Sequence, residues 1–363
     1  LKPCIRFYSA MLIFAAFTGR ATVVFAQESQ GSLLRAEANR IMLSELRPVL
    51  GTTTQKLLSE YLPSLAGSPG DSPVYIMEGA QPGGTAFICA GTHGNEIAGV
   101  VAAALLAEQV NVLSGRVIIL PRANRSAASY PDPDRPGPPS IRIATPGGDR
   151  IFAYGARRTW PGDEGRPDPL SFSHPDSRLP PLDGNESRNL DRNYPGSAEG
   201  GLTARVAYAI ENLIKTENVD IAFDLHEANP ESKLAWIIVA NPKNVDIAAI
   251  AALELEGKGV RMALDMSAEE PRGLSHREWG DRTKARAFLI ETPNPAQVYP
   301  PLHGDPVNDP ALPLSRRVAV QLCSIVEIIA AYNDETSPES RVLLENIPSP
   351  DEIEARGLGG FLD

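Results

Sequence analysis

Six short runs of branched and aromatic residues do most to limit what this chain can fold into. They are VYIME (74–78), TAFICAG (85–91), RVIILP (116–121), VDIAFDL (219–225), LAWIIVA (234–240) and ARAFLIET (285–292). Each has strand length and is too uniformly apolar to face water on one side, which predicts strands covered on both faces. Helical periodicity separates them at 95–109, 201–217 and 243–257 and returns at 313–332. Strands alternating with helices predict an α/β fold with a mostly parallel central sheet.

The rest of the chain is organised around that core. Residues 32–50 carry a helical pattern that ends near Pro48, and residues 27–72 read as an N-terminal helical extension. The segment 123–200 holds 13 of the 33 prolines and little periodicity, so it is expected as irregular loops forming one rim of a site. The catalytic domain is expected over 73–333, followed by a polar, then glycine-rich surface tail over 334–363.

Residues 1–26 differ in kind. Lys2 and Arg6 precede an apolar stretch, and Val24 and Ala26 offer a small-residue cleavage pattern before Gln27. This predicts a secretory signal peptide cut near Ala26–Gln27, and hence a secreted or periplasmic protein. Arg20 interrupts the run short of the roughly 20 residues a membrane span needs. Loss of this segment removes three basic residues and no acidic one, moving the formal charge from −11 to −14. So acidic a protein is a poor partner for nucleic acid or an anionic membrane. Cys89 and Cys323 lie in apolar segments and are expected as buried free thiols.

The chemistry concentrates where apolar runs stop. In GTHGNE, His93 and Glu96 stand three residues apart at a strand-to-helix junction, so their side chains face the same way. The pair fits a metal site and also an ordinary helix start. VDIAFDLHEANP brings His226 to a second strand end, with Asp224 two residues earlier. Two histidines and a glutamate form a catalytic zinc set with a position left open. Asp224 reads equally as a carboxylate orienting a histidine ring or as a strand-end charge. Glu291 closes a third apolar run, where a carboxylate is costly unless it has a task, such as a general base acting on water. In NLDRNYPG, Arg192 offers a planar fork for a carboxylate and Asn193 adds donors. No Gly-x-Ser-x-Gly elbow and no Walker-type phosphate loop is present.

GTHGNE, NLDRNYPG, FDLHE and FLIETP, in that order, resemble the zinc carboxypeptidase superfamily in its succinylglutamate desuccinylase and aspartoacylase branch. The resemblance covers about residues 73–333. It implies a three-layer α/β/α sandwich with a mixed sheet and one zinc ion per chain, held by His93, Glu96 and His226. It makes Glu291 the catalytic base and Arg192, with Asn193 or Asp191, the group that binds a substrate carboxylate. The family usually reads Asp-Leu-Asn-Arg where this chain has Asn189-Leu190-Asp191-Arg192, so acid and amide are exchanged. A further family arginine polarises the scissile carbonyl; Arg178 and Arg188 are placed first for that role, ahead of Arg157. GLSHREWG (273–280) resembles a loop that covers substrate, which makes His276 either a substrate contact or an exposed loop histidine. The resemblance leaves little room after Glu291 for the β-rich domain of the small-molecule deacylases, which implies a more open site.

The expected function is an exported zinc hydrolase cleaving the amide bond of an N-acyl amino acid. A metallocarboxypeptidase acting on peptides, including cell-wall peptides, is the competing enzyme. A non-catalytic exported binding protein on the same fold is the alternative of another class. No nucleic acid and no stable membrane partner after signal removal is expected.

Overall fold

The computed structural model describes residues 32–49, 53–132, 137–298 and 304–362. The predicted signal peptide lies outside them. In chain order, helix α1 (32–42) precedes strands β1 (Thr53–Leu57), β2 (Pro73–Glu78) and β3 (Gln81–Ala90). Helix α2 (Ile97–Gln109), β4 (Asn111–Leu120) and the short α3 (Arg125–Ala128) follow. Two small hairpins, β5 (Ser140–Ile143) with β6 (Arg150–Ala153) and β7 (Ser171–Phe172) with β8 (Leu182–Asp183), lie within the proline-rich segment. Then come α4 (Leu202–Thr216), β9 (Ile221–Ala228), β10 (Ile237–Ala240), α5 (Val245–Gly257), β11 (Ala263–Met266), α6 (Ser275–Arg282) and β12 (Arg286–Pro293). Helix α7 (Leu314–Glu335), β13 (Leu343–Glu345) and α8 (Pro350–Arg356) complete the order.

The main sheet runs β1-β2-β4-β3-β9-β12-β10-β11, with β13 joined to β4. Its middle, β4-β3-β9-β12, is parallel. Antiparallel pairings of β2 with β4 and β10 with β12 border that block. All six apolar runs are strands of this sheet. Strand alternation sorts its side chains onto two faces. Ile88, Phe223 and Ile290 pack with α2, α5 and α7 on one face, while Phe87, Cys89 and Ala222 pack with α4 and Trp279 of α6 on the other. The result is a three-layer α/β/α sandwich with a mixed sheet. Cys89 and Cys323 are buried free thiols.

Three segments differ from the sequence reading. Helix α1 stops at residue 42, because the chain beyond it turns Glu45 inward onto buried Arg122. Residues 53–57, expected in a helical extension, are an edge strand paired with β2. The expected surface tail is packed on the core: β13 pairs with β4, and Val342, Ile353, Leu358 and Leu362 are buried. Among the described residues, no helix is long and apolar enough to cross a membrane.

Candidate metal centre

The carboxyl ends of β3, β9 and β12 lie side by side, as the register of parallel strands requires. His226 pairs with Glu291 across β9 and β12, so both side chains rise from the same face. After β3 the chain turns at Gly91, which has φ of +66° and no room for a side chain beside Pro121 and Arg122. Gly94 is tighter still: a Cβ there would stand 2.7 Å from the backbone of Ala127 and Ala128. Backbone hydrogen bonds from Gly94 to Ala156 (2.8 Å) and from Gly155 to Gly94 (3.0 Å) tie this turn to the proline-rich segment. Glu96 is the N-cap residue of α2.

His93, Glu96 and His226 come together in a buried group whose ligand atoms all lie within 4.8 Å of one another. Each imidazole turns Nδ1 toward Glu96: His93 to Oε1 at 2.7 Å and His226 to Oε2 at 3.0 Å. Each turns Nε2 outward to an oxygen. His93 meets Asn189 Oδ1 at 3.0 Å, and His226 faces Asp224 Oδ2 at 2.9 Å in an ion-pair contact without hydrogen-bond alignment. The ring planes stand at 73° with centroids 5.0 Å apart. One nitrogen on a shared point and the other steadied by an oxygen is how metal-ligating imidazoles are held. Two imidazole nitrogens and a carboxylate form a donor set that fits zinc. Asp191 and Asp224 make a second close group on the Nε2 side of His226.

The electrostatics follow from burial and charge. Burial pulls His93 below its usual range, helped by the Arg157 guanidinium. Burial works against a charge on His226 as well, but the carboxylates of Asp224 and Glu96 carry that ring well above the usual histidine range. Burial raises Glu96, and the two imidazoles outweigh it, holding the carboxyl well below its ordinary value. Burial pushes the Glu291 carboxyl up to about 8, against a lowering pull from His226. Glu291 Oε2 has no hydrogen-bond partner.

The predicted residues divide sharply on position. Arg178 is 83% exposed at its side chain and reaches Glu269 at 3.4 Å, so it does not face the group. Arg188 is buried but committed: Asp168 holds it at 2.6 and 2.9 Å and Thr159 O accepts from it at 2.5 Å. Arg157, placed behind both in the sequence reading, is the arginine at the centre. Its Nη1 lies 3.5 Å from both His93 Nδ1 and Glu96 Oε1, and the side chain keeps 31% exposure. His276 is no exposed loop residue. It is buried in the first turn of α6 with Nδ1 unpaired, and burial lowers it to about 4.

Arg192 lines a cavity of about 600 Å³ with Asn193, Phe172, His174, Ser187 and Glu199. Its Nη1 donates to Asp191 O at 2.5 Å and stands 3.6 Å from Asp191 Oδ2. Asp191 Oδ1 accepts from the Ser275 backbone at 2.9 Å, which joins the NLD segment to α6. Asn193 Nδ2 is spent on Asn189 O (2.7 Å) and Ser187 O (3.1 Å). Sequence reading missed Asn189 as the partner of His93. The signal was the exchanged amide in NLDR, which puts an acceptor where the ring needs one.

No family model and no curated protein matches the sequence. Several solved structures resemble the fold loosely. The cell shape determinant protein Csd4 from Helicobacter pylori is 13% identical with a TM-score of 0.48, over 78% of this chain and 58% of that one. A metallo-carboxypeptidase from Burkholderia cenocepacia is 12% identical with a TM-score of 0.47, over 79% and 66%. An aspartoacylase family protein from Mesorhizobium loti is 17% identical with a TM-score of 0.41, over 68% and 62%. The chain thus spans less than two thirds of each. The architecture described above rests on its own sheet order and packing.

Proposed function

We propose that this protein is a zinc-dependent hydrolase that cleaves the amide bond of an N-acyl amino acid. The observation that carries the reading is the convergence of His93, Glu96 and His226 beside a buried, unpaired Glu291 carboxylate oxygen. The order of the four motifs along the chain supports it. The chemistry a zinc ion supplies there is Lewis acidity toward a carbonyl and a lowered pKa for a water molecule.

The chain's own residues do the rest. Glu291 accepts the proton of the attacking water at its free carboxylate oxygen and returns it to the leaving nitrogen. Burial raises that carboxyl to about 8, and beside a dication held by His93, Glu96 and His226 it would revert to the ionised form the task needs. Arg157 donates to the carbonyl oxygen as negative charge grows on it. Arg192 holds a substrate carboxylate, with Asp191 fixing the direction of its guanidinium. His276 stays neutral and offers an imidazole nitrogen to the substrate or the leaving group. Export through the N-terminal segment belongs to the same proposal.

The competing reading, a carboxypeptidase acting on peptides, shares the metal chemistry; the cavity that Arg192 lines includes none of His93, Glu96, His226 and Glu291, so its size does not choose between the two. Rates on acetyl- and succinyl-amino acids against short peptides separate the two. The shared mechanism is tested on the purified protein. Metal analysis should find one zinc per chain, and Glu291→Gln should keep that zinc while turnover falls about 10²- to 10⁴-fold. Full turnover in that variant would sink the mechanism.

A further inference from the structure

Glu227 follows His226 directly, and strand alternation turns it to the opposite face of the sheet. There it is fully buried against α2 and α7. Its Oε2 accepts from Ala98 N in the first turn of α2 at 3.0 Å and from Asn294 Nδ2 at 3.2 Å. Its Oε1 is paired with Arg317 of α7, which is also fully buried. In return, the backbone N–H of Glu227 donates to Glu96 Oε2 at 3.0 Å. The two glutamates are thus clasped reciprocally, each carboxylate held by the backbone of the other's element. Gln297 Nε2 bridges both halves, reaching Glu96 Oε1 at 3.3 Å and Glu227 O at 3.0 Å.

We infer that Glu227, anchored by Arg317, is a positioning residue for the metal group, fixing the Glu96 carboxylate by locking the start of α2 to the end of β9. This rests on the reading of His93, Glu96 and His226 as a zinc group. A buried ion pair is a poor device for stability alone, since well-packed apolar residues serve as well or better. What apolar residues cannot do is bind the Ala98 amide and so set the angle at which Glu96 leaves the helix start. Arg317 also donates to Leu312 O at 3.1 Å and to Pro306 O, so it cannot follow Glu227 if the clasp loosens.

The test measures zinc affinity by competition with a chromophoric chelator, and the visible spectrum of the cobalt-substituted protein. Wild type is titrated first; if it takes up no zinc, the metal reading falls and this inference with it. If it does, Glu227→Gln should stay folded, bind zinc about 10- to 100-fold more weakly and shift the cobalt spectrum. Arg317→Met should move both readouts the same way and serves where the first variant does not fold. Arg150→Met, which breaks the buried pair with Glu108 (2.7 Å), should lower stability and leave affinity and spectrum unchanged. Wild-type affinity and spectrum in Glu227→Gln would overturn the inference, as would an equal loss of affinity in Arg150→Met.

Discussion

Buried charge is gripped in two-pronged pairs in one part of this molecule and held more loosely in another. Arg122 meets Glu45 through two hydrogen bonds, at 2.9 and 2.7 Å, and adds a third to Ala153 O, with only its Nη1 left over. Arg150 grips Glu108 in the same two-pronged way. At the ends of β9 and β12, by contrast, Asp224 Oδ2 and His226 Nε2 meet at 2.9 Å only as an ion pair without hydrogen-bond alignment, and Glu291 Oε2 and His276 Nδ1 on α6 make no hydrogen bond. Folding alone accounts for the first kind, because a buried charge has to be paired. It does not account for the second, where buried carboxylates and imidazoles crowd together; single unpaired atoms such as Glu211 Oε2 and Arg205 Nε also lie elsewhere, without such company. On the proposed function, the second kind is where a metal ion and substrate would be taken up.

The sharpest way to break this comparison is to open a finished pair. Arg122→Met leaves Glu45 buried without its partner and should cost about 3–5 kcal/mol in urea unfolding while zinc content stays at wild type. Metal loss at unchanged stability would show that the two kinds of charge are not separate. The arginines make the next test. Arg157→Met should lower kcat about 10²- to 10³-fold with KM little changed, as expected on losing a donor to developing charge. Arg178→Met should leave kcat untouched and stability within about 0.5 kcal/mol. Equal losses in both would remove Arg157 from its place at the centre.

Proton counts sharpen the contrast further. The carboxylates of Asp224 and Glu96 keep a proton on His226 near neutral pH, and a metal needs the lone pair that proton occupies. Zinc uptake should therefore release protons, and affinity should rise with pH; calorimetry in buffers of different ionisation enthalpy reads this directly. The smallest effect concerns the metal-free protein. Glu291 titrates near 8 when folded and at the ordinary carboxylate value when unfolded, so the native state holds the extra proton between about 4.5 and 8. Its contribution to stability therefore falls as pH rises through that window and stays lost above it. Glu291→Gln should flatten that part of the stability profile.

The sheet was legible because its strands are covered on both faces and announce themselves as continuous apolar runs. β1 was not, since an edge strand reading TTQKL buries almost nothing along its length. Nor was the packing of the last thirty residues, which send single side chains such as Val342 and Leu362 into the core without a period to reveal them. His93, Glu96, His226 and Glu291 could be picked out because each stands where an apolar run breaks. Arg157 could not. Nothing in GARRTW separates it from its neighbour; hydrogen bonds between Gly94 and residues 155–156, some sixty positions away in the chain, carry it to the centre. His276 was obscured for a similar reason, as the helix that buries it is short and polar in sequence.

The seam between Gly94 and Gly155 also limits how the molecule can be rebuilt. A Cβ on Gly155 would stand 2.2 Å from Ala127 O, as intolerable as one on Gly94. Exposed stretches of the proline-rich segment, away from residues 189–194 and the buried Arg150 and Phe152, could be exchanged for loops of other length or composition, as a designer seeking a new specificity would wish. Any such graft must still deliver two backbone groups and no side chain to that one crossing. A transplant lacking this small footprint would misplace the arginine at the centre however well its own loops were formed.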